Sequence, residues 1–174
     1  LPNYLIQLAC LNQTSLSMKI FVMRHGEAQL LAANDMQRAL TSFGQQQAKD
    51  SAQWLQTHYL DNSTIDLAFV SPYLRTKQTF AELATTLTTT EVEYTQDIIP
   101  SGIVSLAHDY LDTRLSVAPD TQNILFVSHM PFVSYFVDAL CGTCRSPLFA
   151  TGSIAVIEYD IKSSSGVLET HFQG

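Results

Sequence analysis

Charge is scarce in this chain. Only 14% of its 174 residues are Asp, Glu, Lys or Arg, against 46% hydrophobic residues. A disordered chain shows the opposite balance, so this composition calls for a packed core, and the length fits one domain. Basic residues are the scarcest, 9 against 16 acidic, for a net charge of −7. Proteins that bind nucleic acid do so by neutralising phosphates with basic patches, and this balance counts against that function. No apolar run approaches the roughly 20 residues that span a bilayer. Three cysteines, Cys10, Cys141 and Cys144, give no disulfide framework and fit a reducing, cytoplasmic setting. Cys141-Gly142-Thr143-Cys144 has no second ligand pair or thioredoxin-like context, and reads as a loop after a helix.

Residues 1–17 hold no Lys or Arg, and so lack the positive n-region of a signal peptide. They read as an N-terminal extension outside the core, with the domain at 18–174. The closing Phe172-Gln173-Gly174 has the look of a protease-site scar, although the residues before it read as a strand.

Short apolar runs at Lys19–Met23, Asp66–Val70 and Asn123–Val127 read as buried strands. Ala48, Ala52, Leu55 and Tyr59 recur at helical spacing within a helix over Gln45–Leu60. Ser42 and Gln45 form its expected capping box. Further helices are expected at about Tyr73–Leu87, with Pro72 at a first helical position, at Ile103–Val117 and at Pro131–Leu140. Gly152–Tyr159 and Gly166–Phe172 read as a closing antiparallel hairpin. The alternation defines an α/β fold, a mostly parallel central sheet with helices on both faces. Ligands of such sheets bind beyond the carboxyl ends of the strands.

The polar clusters stand at those ends. Arg24, His25 and His129 leave strands, and Arg75 falls in the first turn of the helix after Pro72. If the strands are neighbours, all four side chains meet at one sheet edge. Two guanidinium forks suit phosphate oxygens, helix N-termini add N–H groups, and the set stabilises a phosphoryl group in transfer. A neutral imidazole can attack phosphorus and carry the phosphoryl group covalently, provided a hydrogen bond holds its other nitrogen. His25 is the expected nucleophile. Gly26 lets the backbone approach closely beside it, and His129 is the expected donor to a phosphoryl oxygen, protonated beside the dianion.

Arg24-His25-Gly26-Glu27 after a strand resembles the Arg-His-Gly signature of the histidine phosphatase superfamily, with its phosphoglycerate mutase-like fold. Ser71-Pro72-Tyr73-Leu74-Arg75-Thr76-Lys77-Gln78-Thr79 and Val127-Ser128-His129 resemble its second and third blocks, in family order. The resemblance covers about Met18 to Phe172. The short length, Arg38-Ala39-Leu40-Thr41, Ser128-His129-Met130-Pro131 and Ser153-Ile154-Ala155 resemble the SixA-type phosphohistidine phosphatases of that superfamily. The resemblance implies catalytic His25, Arg24, Arg75 and His129, with Arg38 at the pocket mouth and Gly26 and Glu27 as further substrate-binding positions. It implies no cofactor and no metal, since two arginines repel a divalent cation. The implied partner is the phosphorylated histidine phosphotransfer domain of a sensor kinase, met by a monomer with no nucleic-acid or membrane partner.

Larger relatives protonate a poor alkoxide leaving group with a carboxylic acid between the second and third blocks. Here the stretch Phe80–Phe126 is compact, and its acids Glu82, Glu91, Glu93, Asp97, Asp109, Asp112 and Asp120 match no such motif. Glu27 stands as a candidate acid. The alternatives are a small-molecule phosphomonoesterase or mutase of the same superfamily, and a non-catalytic phosphate binder on the same scaffold.

Overall fold

Strand β1 (Met18–Arg24) lies inside the sheet because its side chains are apolar on both faces. Ile20 and Val22 join one buried cluster, and Phe21 and Met23 the other. The computed structural model describes residues 18–174. The expected extension at 1–17, with Cys10, lies outside the described residues.

Helix α1 (Ser42–His58) follows β1, then β2 (Thr64–Val70), α2 (Leu74–Leu83), β3 (Thr88–Tyr94), α3 (Val104–Val117), β4 (Asn123–Ser128), α4 (Phe132–Cys141), β5 (Ile154–Asp160) and β6 (Ser165–Phe172). The six strands form one sheet in the order β3-β2-β4-β1-β5-β6. β1, β2, β3 and β4 pair in parallel. β5 runs antiparallel to β1, and β6 to β5. Ala48, Ala52 and Leu55 of α1 and Phe80 and Leu83 of α2 cover one face. Ala107, Leu111 and Leu115 of α3 and Phe132, Phe136 and Leu140 of α4 cover the other. The expected α/β architecture, with its closing hairpin, is the one observed.

The boundaries differ in instructive ways. The cap of α1 is Thr41, not Ser42: Thr41 Oγ1 accepts from Gly44 N at 3.0 Å. Thr41 N donates to Glu27 O at 2.9 Å, which holds the residue extended as a cap requires. Pro72 lies before the cap of α2, Tyr73, whose backbone is still extended at φ −67° and ψ 147°. That helix stops at Leu83 rather than at the expected Leu87, and Thr88-Thr89-Thr90 open β3, a strand not expected from the sequence. This edge strand has no continuous apolar stretch, so only its β-branched residues mark it. Cys141 ends α4, Gly142 turns the chain at φ +60°, and Cys144 follows in the loop, both cysteines being free thiols. At the C-terminus, Phe172 belongs to β6 and stacks on Trp54 at 4.6 Å, so this part of the supposed scar is part of the fold.

One backbone crossing ties the end of β1 to α1. A Cβ on Gly26 would lie 2.2 Å from Gly44 O, and one on Gly44 would lie 2.0 Å from Glu27 O. Both positions therefore exclude a side chain. Gly44→Ala is expected to lower the unfolding free energy by about 1–3 kcal/mol, the usual range for forcing extra carbon into a closed contact. Urea denaturation measures this, and an unchanged midpoint would show that the crossing does not constrain the fold.

Candidate active site

The register of three strands builds the site. Arg24 pairs with Ser128, Met23 with Val127, and Val70 with Val127, so β1, β4 and β2 end side by side. Two hydrogen bonds extend this alignment past the strand ends: His25 N to Ser128 O at 3.0 Å and Ser71 N to Val127 O at 3.1 Å. His25, His129 and Ser71 consequently emerge at one edge. Gly152 N, ahead of β5, donates to His25 O at 3.0 Å and closes the fourth side.

His25 is 7% exposed. Its Nδ1 lies 2.7 Å from Gly26 O, and its Nε2 lies 3.1 Å from Arg75 Nε. A carbonyl only accepts and a guanidinium only donates. Nδ1 therefore carries the proton, and Nε2 presents its lone pair on the side of Arg75. Burial is the main cause that pushes the His25 pKa down, to about 4. Arg75, Arg24 and Arg38 add to it, against the opposing Gly26 hydrogen bond.

His129 is 1% exposed, and its ring centroid lies 5.1 Å from that of His25. Its Nε2 sits 2.7 Å from Ser71 Oγ, while its buried Nδ1 has no hydrogen-bond partner among the described residues. Tyr73 packs edge-on against it at 4.8 Å. Burial, then the neighbouring His25, Arg75 and Arg24, push its pKa down to about 2. Without a bound anion the buried ring is therefore neutral, since no carboxylate lies among its partners in the described residues; the expected protonated form concerns the site with a dianion bound.

Arg75, 4% exposed in the first turn of α2, spends all three nitrogens. Nε faces His25, Nη1 donates to Asp35 O at 2.6 Å, and Nη2 meets Asp35 Oδ2 at 3.1 Å. Arg24 Nη1 donates to Phe149 O at 2.7 Å, and its buried Nε is unpartnered among the described residues. Burial, with Arg75 nearby, pushes the Arg24 pKa down. Thr79 Oγ1 accepts from Gly26 N at 3.1 Å and donates to Arg75 O at 2.7 Å, linking the first and second blocks.

Four of the seven expected residues thus share one cluster: Arg24, His25, Arg75 and His129. Arg38 joins it indirectly, donating from Nη1 to Asp35 Oδ1 at 3.1 Å and from Nε to Gln29 O at 2.6 Å. Gly26 serves the crossing with Gly44 and supplies the carbonyl that orients His25. Glu27 turns elsewhere, its Oε1 accepting from Thr41 Oγ1 at 2.9 Å at the start of α1. Asp35 went unnoticed in the sequence. Its signal was available: it is the only acidic residue between Glu27 and Asp50, three positions before Arg38.

An edge that gathers the buried Arg75, the half-buried Arg24 and two buried imidazoles has the chemistry to offer a nucleophilic nitrogen and several donors to one tetrahedral anion. The family description "Histidine phosphatase superfamily (branch 1)" matches residues 20–99. The phosphohistidine phosphatase SixA of Escherichia coli is 36% identical over 144 residues, covering 82% of this chain and 86% of that protein. The SixA homolog of Haemophilus influenzae is 35% identical over 149 residues, covering 82% and 89%. Among solved structures, the protein histidine phosphatase SixA complexed with tungstate superposes with a TM-score of 0.83 at 33% identity, covering 90% and 97%. The chain belongs to the histidine phosphatase superfamily. Within that class, the relatives it resembles over most of its length are the SixA proteins.

Neutral burial of the two histidines makes stability depend on pH. The unfolded chain takes up protons on both near pH 6.5, whereas the folded chain resists until about 4 for His25 and about 2 for His129. The unfolded state therefore binds more protons below 6.5, and stability falls as pH drops from 7 toward 4. Replacing His129 with Asn is expected to flatten this slope. Urea unfolding at fixed pH values between 4 and 7.5 checks it, and an equal slope in the variant would contradict neutral burial.

Proposed function

We propose that this protein is a phosphohistidine phosphatase that removes phosphate from a histidine of a sensor kinase's phosphotransfer domain, through a covalent phospho-His25 intermediate. The observation that carries this reading is the fixed state of His25, protonated on Nδ1 with its Nε2 lone pair turned toward Arg75. Likeness to SixA proteins over most of the chain supports the substrate class.

In the proposed cycle the substrate phosphate enters beside His25, with Arg75 and Arg24 binding its oxygens. His129 Nε2 lies 2.7 Å from Ser71 Oγ, and in the proposed tautomer the hydroxyl donates to it and the ring proton sits on Nδ1, which has no partner among the described residues. His129 then donates to a phosphoryl oxygen while neutral. His25 Nε2 attacks phosphorus as the substrate P–N bond breaks, and the substrate histidine, protonated on its other ring nitrogen, departs with that electron pair as a neutral imidazole. Water then attacks phospho-His25 in line, releasing inorganic phosphate and restoring the ring. Positioning and charge stabilisation carry both steps. Arg38 stands at the entrance, and Gly26 acts through the carbonyl that orients His25.

This activity belongs to residues 18–174, with 1–17 as an extension beside them. A cytoplasmic monomer in two-component signalling suits the two free thiols, Cys141 and Cys144.

Incubation with a phosphorylated phosphotransfer domain is the direct test. Wild-type protein is expected to remove the phosphate, and His25→Ala to lose the activity. Arg75→Ala is expected to cost about 10²–10³ in kcat/KM, the usual loss on removing a transition-state donor. Brief incubation and peptide mapping at alkaline pH should place an acid-labile phosphate on His25. Dephosphorylation by His25→Ala at the wild-type rate would end this reading. A phosphorylated metabolite hydrolysed far faster than the phosphoprotein would favour a small-molecule phosphomonoesterase.

A further inference from the structure

Residues 29–39 leave the end of β1 as an exposed excursion. Its base is closed by the bridge between Ala28 and Leu40 and by Gln29 N donating to Ala39 O at 2.8 Å. Leu30 and Leu31, 88% and 87% exposed, add no packing to hold it. Within it, the short 3-10 turn Asp35–Gln37 starts at Asn34, whose side chain accepts from Gln37 N. Asp35 opens this turn and reaches from solvent to the buried site. Its side chain is 57% exposed, while that of its partner Arg75 is 4% exposed.

The pattern of contacts is specific. A guanidinium has an end edge, formed by Nη1 and Nη2, and a side edge, formed by Nε and Nη2. Asp35 takes the end edge of Arg75 with its own carbonyl and Oδ2. Nε, on the side edge, is the atom that faces His25. The second carboxylate oxygen, Oδ1, holds Arg38 Nη1. A single residue therefore fixes two of the arginines near the nucleophile and leaves the side edge of the first directed at the imidazole.

We propose that Asp35 is a positioning residue for phosphoryl recognition, holding the end edge of Arg75 and the head of Arg38 so that both cations are presented to the phosphoryl group. The proposal rests on the phosphatase reading for its substrate and adds a residue that works only through the arginines. A bidentate hold removes the rotational freedom of the Arg75 guanidinium before the anion arrives, and such preorganisation strengthens binding by lowering its ordering cost. The opposite role, an internal anion that competes with phosphate for Arg75, predicts tighter anion binding when the carboxylate is removed. The two roles therefore differ in sign.

The test measures tungstate affinity by calorimetry beside steady-state kinetics on the phosphorylated phosphotransfer domain, for wild type, Asp35→Ala, Asp35→Asn and Arg38→Ala. Asp35→Ala is expected to weaken tungstate binding and raise KM by about 10-fold each, while kcat stays within about 3-fold, the signature of lost binding rather than lost chemistry. Asp35→Asn is expected to fall between wild type and alanine, and it carries the test if the alanine variant does not fold. Combining Asp35→Ala with Arg38→Ala should cost less than the two losses added, because each removes the same contact. Unchanged or tighter tungstate binding in both Asp35 variants overturns the proposal. If the Asp35 variants weaken tungstate binding while the wild-type protein releases no phosphate from the phosphotransfer domain, the positioning role stands and the phosphatase reading fails.

Discussion

The state of the His25 ring depends on being placed between two partners of opposite kind. The Gly26 carbonyl can only accept and the Arg75 guanidinium can only donate, so the imidazole is left one neutral tautomer. Every other feature of the site maintains that placement. The register of β1 on β4 sets where the ring leaves the sheet. The crossing of Gly26 and Gly44 sets the direction of the carbonyl. Thr79 ties Gly26 N to the turn of α2 that carries Arg75.

Placing the cluster in the interior has an electrostatic consequence. In a chain of net charge −7, positive groups are gathered at one buried edge, and burial keeps both imidazoles uncharged there. The arginines cannot shed their charge so readily, and they are held by carbonyls and by one carboxylate, Asp35. Burial works against that carboxylate, but hydrogen bonds from Arg38 and Arg75 hold its pKa below the ordinary range. A phosphoryl dianion entering this edge meets donors already oriented and poorly hydrated, the condition under which charge stabilisation is largest.

Much of this was legible in the sequence because the relevant signals are local. The runs at 19–23, 66–70 and 123–127 are apolar on both faces, as buried parallel strands must be, and their polar ends mark the site edge. What stayed hidden depended on distance. β3 is an exposed edge strand whose Thr-Thr-Thr-Glu-Val-Glu-Tyr has no apolar period to read. Glu91 and Glu93 matched no acid motif, and both pair with Arg114, 23 and 21 residues away. No local pattern marks His108, yet its Nε2 lies 2.6 Å from the buried Tyr159 hydroxyl, which also bonds Asp112. Asp35 sits in a segment without periodicity, and its partner Arg75 is 40 residues on. A composition or spacing argument cannot reveal such pairs, because only the fold brings them together.

The commitments of the acidic residues bear on the chemistry. Glu27 accepts from Thr41 at the start of α1, and Asp35 is spent on two arginines. Glu82 pairs with Lys49, Glu91 and Glu93 with Arg114, and Asp112 with Tyr159. Glu27, Glu82, Glu91, Glu93 and Asp112 are drawn toward structural partners, and Asp35, although near the site, is held by the arginines. An alkoxide leaving group needs a proton as the P–O bond breaks, and a site with its acids so engaged serves it poorly. An imidazole already protonated on its other ring nitrogen leaves phosphorus as a neutral group and needs no carboxylic acid from the site. The distribution of carboxylates, and not only the cluster of cations, therefore favours a phosphorylated histidine as the substrate of the proposed reaction.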